Sequence, residues 1–214
     1  MKMNLANKLT IFRIILVPVM AIIPYLNLKG DFLGLPLTYF FMELIFIVAS
    51  ITDKLDGYIA RSRNQVTTFG KFLDPLADKI LVLTAMVLLV ELGKIPAWIP
   101  IIVIFREFAV SGYRLIAVQN NGEVIAANVW GKLKTVTQMI AIILMFLTTQ
   151  PYFAFVMRAK TEQDALVNSA LTYMTTGDFV MNILASIFMT VSVIATIFSG
   201  YEYLKGGKDL LKDC

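Results

Sequence analysis

The sequence predicts an all-α integral membrane protein, a six-transmembrane-helix bundle with both termini cytoplasmic. Three observations carry that expectation. Hydrophobic residues make up 58% of the 214 positions and charged residues 16%, with a mean hydropathy of +0.75. Soluble domains run about 45–50% and about 25%. The apolar residues gather into runs approaching the roughly 20 residues that a bilayer-crossing helix needs. The basic residues sit unevenly between those runs, which is what orients a chain in a membrane.

The expected spans are 9–27, 36–59, 78–93, 97–118, 135–150 and 178–200. The first contains Arg13 and is followed by no small-residue cleavage site, so it reads as a retained span rather than a secretory leader. The third and fifth are short and are expected to extend into polar flanking sequence. Residues 28–35 read as a short polar loop, and 92–96 as a tight turn around Gly93 and Pro96. Residues 119–134 form a polar connection containing Asn120-Asn121-Gly122, and 151–177 are the longest non-apolar stretch. No repeat or linker divides the chain, so 1–214 is read as one domain. With the N-terminus, the 60–77 and 119–134 connections and the C-terminus on one side, only Lys29, Lys94, Arg158 and Lys160 of the 19 basic residues fall on the other. That bias puts both termini in the cytoplasm.

Composition also excludes chemistry. The chain has no histidine, which removes Ser-His-Asp triads, His-ligated zinc and imidazole shuttles. Its one cysteine, Cys214, is the last residue and reads as a bland terminal position. The net charge of +4 suits a membrane surface or an anionic substrate. No dense basic run with interleaved aromatics marks a nucleic-acid site.

The most informative stretch runs Asp53-Lys-Leu-Asp56-Gly57-Tyr-Ile-Ala60-Arg61 and then Gly70-Lys71-Phe-Leu-Asp74-Pro-Leu-Ala-Asp78-Lys79. Helical positions three and four apart share a face. Asp53, Asp56, Gly57 and Ala60 therefore form one stripe at the cytoplasmic end of the second span. Gly70, Asp74 and Asp78 form a matching stripe at the start of the third. Four converging carboxylates repel unless they are protonated or neutralised. Two divalent cations supply the missing charge, and an all-oxygen donor set favours Mg²⁺ or Mn²⁺. Gly57, Ala60 and Gly70 leave room beside the acids, and Arg61 and Lys71 are cations suited to phosphate. The simpler reading is a solvated helix end with the acids paired to Lys54, Arg61, Lys71 and Lys79. Four acids at helical spacing across two adjacent spans weigh against it, because acids within spans usually have a function.

The pattern Asp56-Gly57-x2-Ala60-Arg61-x8-Gly70-x3-Asp74-x3-Asp78, with Asp53 ahead of it, resembles the complete signature of the CDP-alcohol phosphatidyltransferases. The resemblance implies that Asp53, Asp56 and Asp74 hold metal. It also implies that Asp78 both binds the second metal and acts as general base for an acceptor hydroxyl. The resulting alkoxide attacks the lipid-side phosphorus of a CDP-linked lipid, and CMP leaves. The family likeness further implies a homodimer.

Asn7, Thr10 and Arg13 make a polar stripe on the first span. They read either as an interfacial anchor with a snorkelling arginine or, by resemblance to the family's first-helix motif, as contacts to the CDP group. Ala6 stands where the family pattern often has proline. The Arg106-Glu107 pair reads either as structural or, with Arg114, as binding a phosphorylated acceptor. Lys132, Lys134, Thr135 and Gln138 read either as positive-inside anchoring or as an anion pocket. The pattern Arg106-Glu-x3-Ser-Gly-x-Arg114, followed by Gly131-Lys-x-Lys134-Thr135-x2-Gln138, resembles one branch of the family. That branch comprises bacterial enzymes of the cell membrane whose acceptor is sn-glycerol 3-phosphate and whose donor is CDP-diacylglycerol. Rival expectations are the same reaction with phosphatidylglycerol, inositol phosphate or serine as acceptor, and, more remotely, a divalent-cation transporter. Tyr25, Trp98, Trp130, Tyr201 and Tyr203 read as an interfacial aromatic belt. The tail 201–213 reads as a segment resting on anionic lipid.

Overall fold

A backbone surrounded by hydrocarbon must satisfy its own hydrogen bonds, and a helix does so within one segment. The computed structural model, which describes residues 5–62, 68–119, 129–153 and 176–206, is accordingly built of helices. In chain order they are α1 (Leu5–Ile22), α2 (Leu37–Ser62), α3 (Thr68–Glu91), α4 (Trp98–Gln119), α5 (Val129–Leu147) and α6 (Thr176–Gly206). A 3-10 turn (Ile23–Leu26) follows α1. Asn120-Asn121-Gly122, Arg158, Lys160, Lys208, Lys212, Cys214 and most of 151–177 lie outside the described residues.

Two boundaries move as the short third and fifth spans require. α3 starts at Thr68 rather than 78, and α5 at Val129 rather than 135. Counting apolar residues stops at the first charged position, whereas a helix continues wherever its backbone bonds and its buried stripe continue. The 28–35 segment differs from a plain polar loop. It holds an antiparallel hairpin of β1 (Asp31–Phe32) and β2 (Leu35–Pro36), with Asp31 opposite Pro36 and Phe32 opposite Leu35. The two turn residues, Leu33 (φ 54°) and Gly34 (φ 82°), both adopt positive φ, the geometry that matches strand twist in a two-residue hairpin.

Among the described residues, three helical stretches, Asn7–Leu26, Val129–Leu147 and Gly177–Lys205, are long and apolar enough to cross a membrane. α2, α3 and α4 carry Asp53, Asp56, Asp74, Asp78, Arg106 and Glu107 within their length. Their faces are nonetheless segregated. α2 exposes Phe41, Leu44, Val48, Ile51 and Leu55, and α4 exposes Ile101, Phe105 and Phe108. These apolar residues recur every three or four positions on the outside, while polar side chains lie inside. Soluble helices show the opposite arrangement.

The chain divides into two compact units. In the first, Met1–Leu92 with Phe146–Thr149, α1 packs against both α2 and α3. Its buried stripe is Asn7, Thr10, Arg13, Val17, Met20 and Ile23, a run at the helical period that turns from polar to apolar along the axis. α2 answers with Met42, Phe46, Ala49, Thr52 and Asp56, and α3 with Ala77, Leu81, Ala85 and Leu88.

In the second unit, Gly93–Met145 with Gln150–Cys214, α4 packs against α6. The inward stripe of α6 is Asn182, Ser186, Met189, Val193, Thr196, Ser199 and Tyr203; its small members let helices approach closely. Asn182 donates to the Pro151 carbonyl at 2.9 Å, and Ser186 Oγ accepts from the Phe153 amide at 3.0 Å. These bonds tie the start of the 151–177 stretch to α6. Lys94, assigned from its charge to an outer loop, is instead 2% exposed. Its ammonium donates to the Met145 carbonyl at 2.9 Å in the last turn of α5, where a helix presents unsatisfied carbonyls and negative dipole. Lys94→Met leaves that carbonyl without this donor. It is expected to lower the melting temperature of the detergent-solubilised chain, with a loss of about 1–3 kcal/mol. An unchanged melting curve would show that the Lys94 contact carries no stability.

Candidate active site

A guanidinium surrounded by apolar helices needs counter-charge. In the first unit, Thr10 and Arg13 of α1 meet the acids of α2 and α3, and Arg13 supplies that pairing. Arg13 is fully buried (0% exposed). Its Nη1 lies 2.7 Å from Asp53 Oδ1, and its Nη2 donates to Asp56 Oδ2. One helical turn earlier, the Thr10 hydroxyl donates to Asp74 Oδ1 at 2.7 Å and lies 3.4 Å from Asp56 Oδ2. A hydroxyl has one hydrogen, and the shorter contact claims it. Asn7, a turn earlier again, is buried on the same face.

The helical period explains the convergence. Positions 7, 10 and 13 fall on the inward face of α1, 53 and 56 on that of α2, and 74 one turn past the buried Gly70 of α3. Pro75, next to Asp74, has no amide to complete the helix ladder there, which loosens the local backbone. Asp56 is 3% exposed and Asp53 36%, so one carboxylate of the pair is sealed and the other opens outward. Asp74 and Asp78 are half-buried, with Asp78 one turn further along α3.

The stripe Asn7, Thr10, Arg13 is therefore not a snorkelling anchor, since Arg13 points inward onto carboxylates. Asp53 and Asp56 take an ion-pair partner from α1, which the simpler reading does not foresee. The donor set suits a hard divalent ion, being carboxylate oxygens gathered from two helices and linked through Thr10 and Arg13. In this arrangement, no three acidic side chains among the described residues form a group able to hold one ion. Arg13 places a positive charge between Asp53 and Asp56. Gly57 is half-buried and Gly70 buried. Ala60 and Arg61 belong to α2, Lys71 to α3 and Arg114 to α4, but their side chains lie outside what the structure describes.

The second unit carries its own ion cluster. Glu107 Oε1 accepts from Arg106 Nη1 at 2.9 Å and from the Lys134 ammonium. Arg106 Nη2 donates to Ser199 Oγ on α6, and its guanidinium carbon lies 5.6 Å from the centre of the Tyr203 ring, within cation–π range. Gly200 lies beside this group, where a Cβ would be in ordinary van der Waals contact with Arg106 Cγ at 3.4 Å. Of the expected anion-pocket residues on α5, Lys134 and Gln138 are buried while Lys132 and Thr135 are exposed. Thr135 donates to the Gly131 carbonyl at 3.0 Å. The sequence pairs Arg106 with its neighbour Glu107, and the structure has that pair. It adds Lys134, Ser199 and Tyr203, whose participation no local spacing signals.

The comparisons with known proteins agree with the signature. The family model described as CDP-alcohol phosphatidyltransferase matches residues 3–198. A Bacillus subtilis protein named CDP-diacylglycerol–glycerol-3-phosphate 3-phosphatidyltransferase is 38% identical over 214 residues, covering 98% of this chain and 97% of the relative. A Haemophilus influenzae protein of the same name is 36% identical over 217 residues, covering 100% and 98%. One from Rickettsia bellii is 32% identical over 209 residues, covering 96% of each.

The Thr10–Asp74 bond spans two helices and involves a carboxylate. Thr10→Val, which keeps the shape and removes the hydroxyl, is expected to cost about 1.5–3 kcal/mol. A double-mutant cycle with Asp74→Asn, read from thermal unfolding in detergent, should recover most of that cost as coupling. Additive losses would show that the bond does not join the two helices energetically.

Proposed function

The chain belongs to the CDP-alcohol phosphatidyltransferase family, and from that premise we propose that it transfers the phosphatidyl group of CDP-diacylglycerol to sn-glycerol 3-phosphate. The products are phosphatidylglycerophosphate and CMP. The observation that carries this reading is the meeting of Asp53, Asp56 and Asp74 at Thr10 and Arg13, in a chain that matches relatives named for this reaction along nearly their whole length. Relatives named for glycerol 3-phosphate favour that acceptor over phosphatidylglycerol, inositol phosphate or serine, and favour a transferase over a cation transporter.

The family is in general dependent on a divalent metal. Two Mg²⁺ or Mn²⁺ ions on Asp53, Asp56, Asp74 and Asp78 would supply positive charge to the diphosphate and to the attacking and leaving oxygens. The chain's own residues do the rest. Thr10 holds Asp74 through its hydroxyl, so that carboxylate keeps one oxygen aimed at α1. Asn7, Thr10 and Arg13, with Gly57, Ala60, Arg61, Gly70 and Lys71, bind the CDP portion. Asp78 takes the proton of the acceptor hydroxyl on a carboxylate oxygen. With no histidine in the chain, a carboxylate is the local group suited to that task. The acceptor oxygen then bonds to the lipid-side phosphorus, the bond from that phosphorus to the bridging oxygen breaks, and CMP departs with the electron pair. Arg106, Arg114, Lys132, Lys134 and Thr135 bind the acceptor's phosphate, whose two charges require more than one cation.

We place the protein in the bacterial cytoplasmic membrane as one six-span domain, with both termini and the site facing the cytoplasm, where the acceptor and CMP are soluble, and with a second copy as homodimer partner. The single-domain reading is supported by the family match, which runs from residue 3 to 198 through both compact units.

Purified chain given CDP-diacylglycerol and each acceptor in turn, with and without chelator, is expected to release CMP fastest with glycerol 3-phosphate and to stop with chelator. Faster turnover with another acceptor would replace this assignment. Asp78→Asn should lower kcat by at least about 100-fold, the usual worth of a positioned base, while retaining CDP-lipid binding. Normal kcat would remove Asp78 as the base. Arg114→Ala and Lys132→Ala should chiefly raise the acceptor KM, and an unchanged KM in both would move the acceptor phosphate elsewhere.

A further inference from the structure

Arg13 and a divalent cation have claims on the same oxygens. Arg13 is 0% exposed and lies against Asp53 Oδ1 and Asp56 Oδ2, two carboxylates that the proposed reading assigns to metal. Two like charges do not share one pair of buried carboxylates at close range without strong repulsion. With Arg13 so placed, no three acids among the described residues are grouped around one ion position. The grip of Arg13 is also incomplete. Its Nε and Nη1 are buried and make no aligned hydrogen bond among the described residues, so Nη1 meets Asp53 as a charge contact and Nη2 supplies the one aligned bond, to Asp56. A buried arginine held by all five of its donors would be fixed in place, whereas this one is held mainly by charge. Asp53, at 36% exposed, gives the site an open side.

We propose that Arg13 is an internal counter-ion that competes with the divalent cation for Asp53 and Asp56, so that metal binding displaces its guanidinium from the acids. Once displaced, the guanidinium is free to meet a diphosphate, which is planar-fork chemistry that arginine suits. Metal and nucleotide therefore bind cooperatively through Arg13. Linkage makes the effect reciprocal: each raises the affinity of the other by the same factor. Arg13 is here a positioning residue for the metal. The inference rests on the divalent-cation part of the proposed function and not on the identity of the acceptor.

The test reads binding rather than turnover. Mn²⁺ titrated calorimetrically into the purified full chain should bind Arg13→Gln about tenfold more tightly than wild type, equivalent to about 1.4 kcal/mol. Arg13→Lys, which keeps the charge, should stay near wild type. Adding CDP should tighten Mn²⁺ binding to both wild type and Arg13→Gln, through contact of the diphosphate with the metal, but by a several-fold larger factor in wild type. Equal or weaker Mn²⁺ affinity in Arg13→Gln overturns the proposal. Because removing a buried cation can impair folding, a second measurement uses wild type alone. Phenylglyoxal labelling of Arg13, located by peptide mass, should rise several-fold when saturating Mg²⁺ replaces EDTA, and equal labelling overturns the proposal. Absence of any Mn²⁺ binding to wild type would remove the metal reading and this inference together. Normal Mn²⁺ binding with no effect of Arg13→Gln would remove this inference alone.

Discussion

A guanidinium with no exposure to water must find its counter-charge inside the protein, because an uncompensated buried charge costs several kcal/mol. Arg13 is such a group, and its need sets much of the first unit. For its two terminal nitrogens to meet Asp53 and Asp56, α1 must present the face of Asn7, Thr10 and Arg13 to α2. That rotation brings Thr10 to Asp74 on α3. The same rotation turns Phe12, Ile15, Val19 and Ile22 outward, which is the surface a lipid-embedded helix needs. One buried cation thus fixes the azimuth of α1 and, through it, which acids of two other helices face each other. Dispersion along Val17, Met20 and their neighbours then consolidates contacts that charge has oriented, since lipid leaves little hydrophobic drive for helix association.

The second unit solves a similar problem with a different stoichiometry. There one carboxylate, Glu107, serves two cations, Arg106 and Lys134, leaving a positive excess, whereas Arg13 serves two carboxylates and leaves a negative excess. The two imbalances match the two halves of the chemistry. A negative excess on α2 and α3 suits divalent cations, and a positive excess on α4 and α5 suits a phosphate-bearing acceptor. Ser199 and Tyr203 hold the Arg106 fork in one orientation, so the positive group is built into the packing of α4 on α6 rather than hung on its surface.

Period and composition were readable directly. The six helices, the shared face of Asp53 and Asp56, the Gly70–Asp74–Asp78 stripe and the polar run on α1 all follow from spacing by three and four. Pairing was not readable, because it depends on which helix lies beside which. The cations nearest to the acids in sequence are Lys54, Arg61, Lys71 and Lys79, yet the partner of Asp56 is 43 residues away, and Ser199 lies 93 residues from Arg106. The burial of Lys94 was not readable for a related reason. A charge in a turn between apolar runs looks like a solvated loop residue, and only the position of the α5 C-terminus shows that it is a buried cap. The hairpin at 31–36 was hidden because Leu33-Gly34 is not one of the Asn-Gly or Asp-Gly pairs that announce such a turn.

Among the described residues, the helices that carry Asp53, Asp56, Asp74, Asp78 and Glu107 are the ones that fall short as membrane spans by composition. α1, α5 and α6 meet the requirement of length and apolarity, while α2, α3 and α4 hold the acids and the Arg106-Glu107 pair. A charged residue at the centre of a span costs about 2.5–3.5 kcal/mol on insertion scales, so a helix with several of them cannot rely on average hydropathy. α2 shows how that cost is offset. Its acids Glu43 and Asp56 are buried, and the outer face exposes Phe41, Leu44, Val48, Ile51 and Leu55 in an apolar line. The acids then find cations within the protein: Asp53 and Asp56 from Arg13 of α1, and Glu107 from Lys134 of α5 and from Arg106 on its own helix. Membrane residence and acid-rich chemistry coexist on one helix because they use different faces, and the ion pairs between helices keep those faces from rotating.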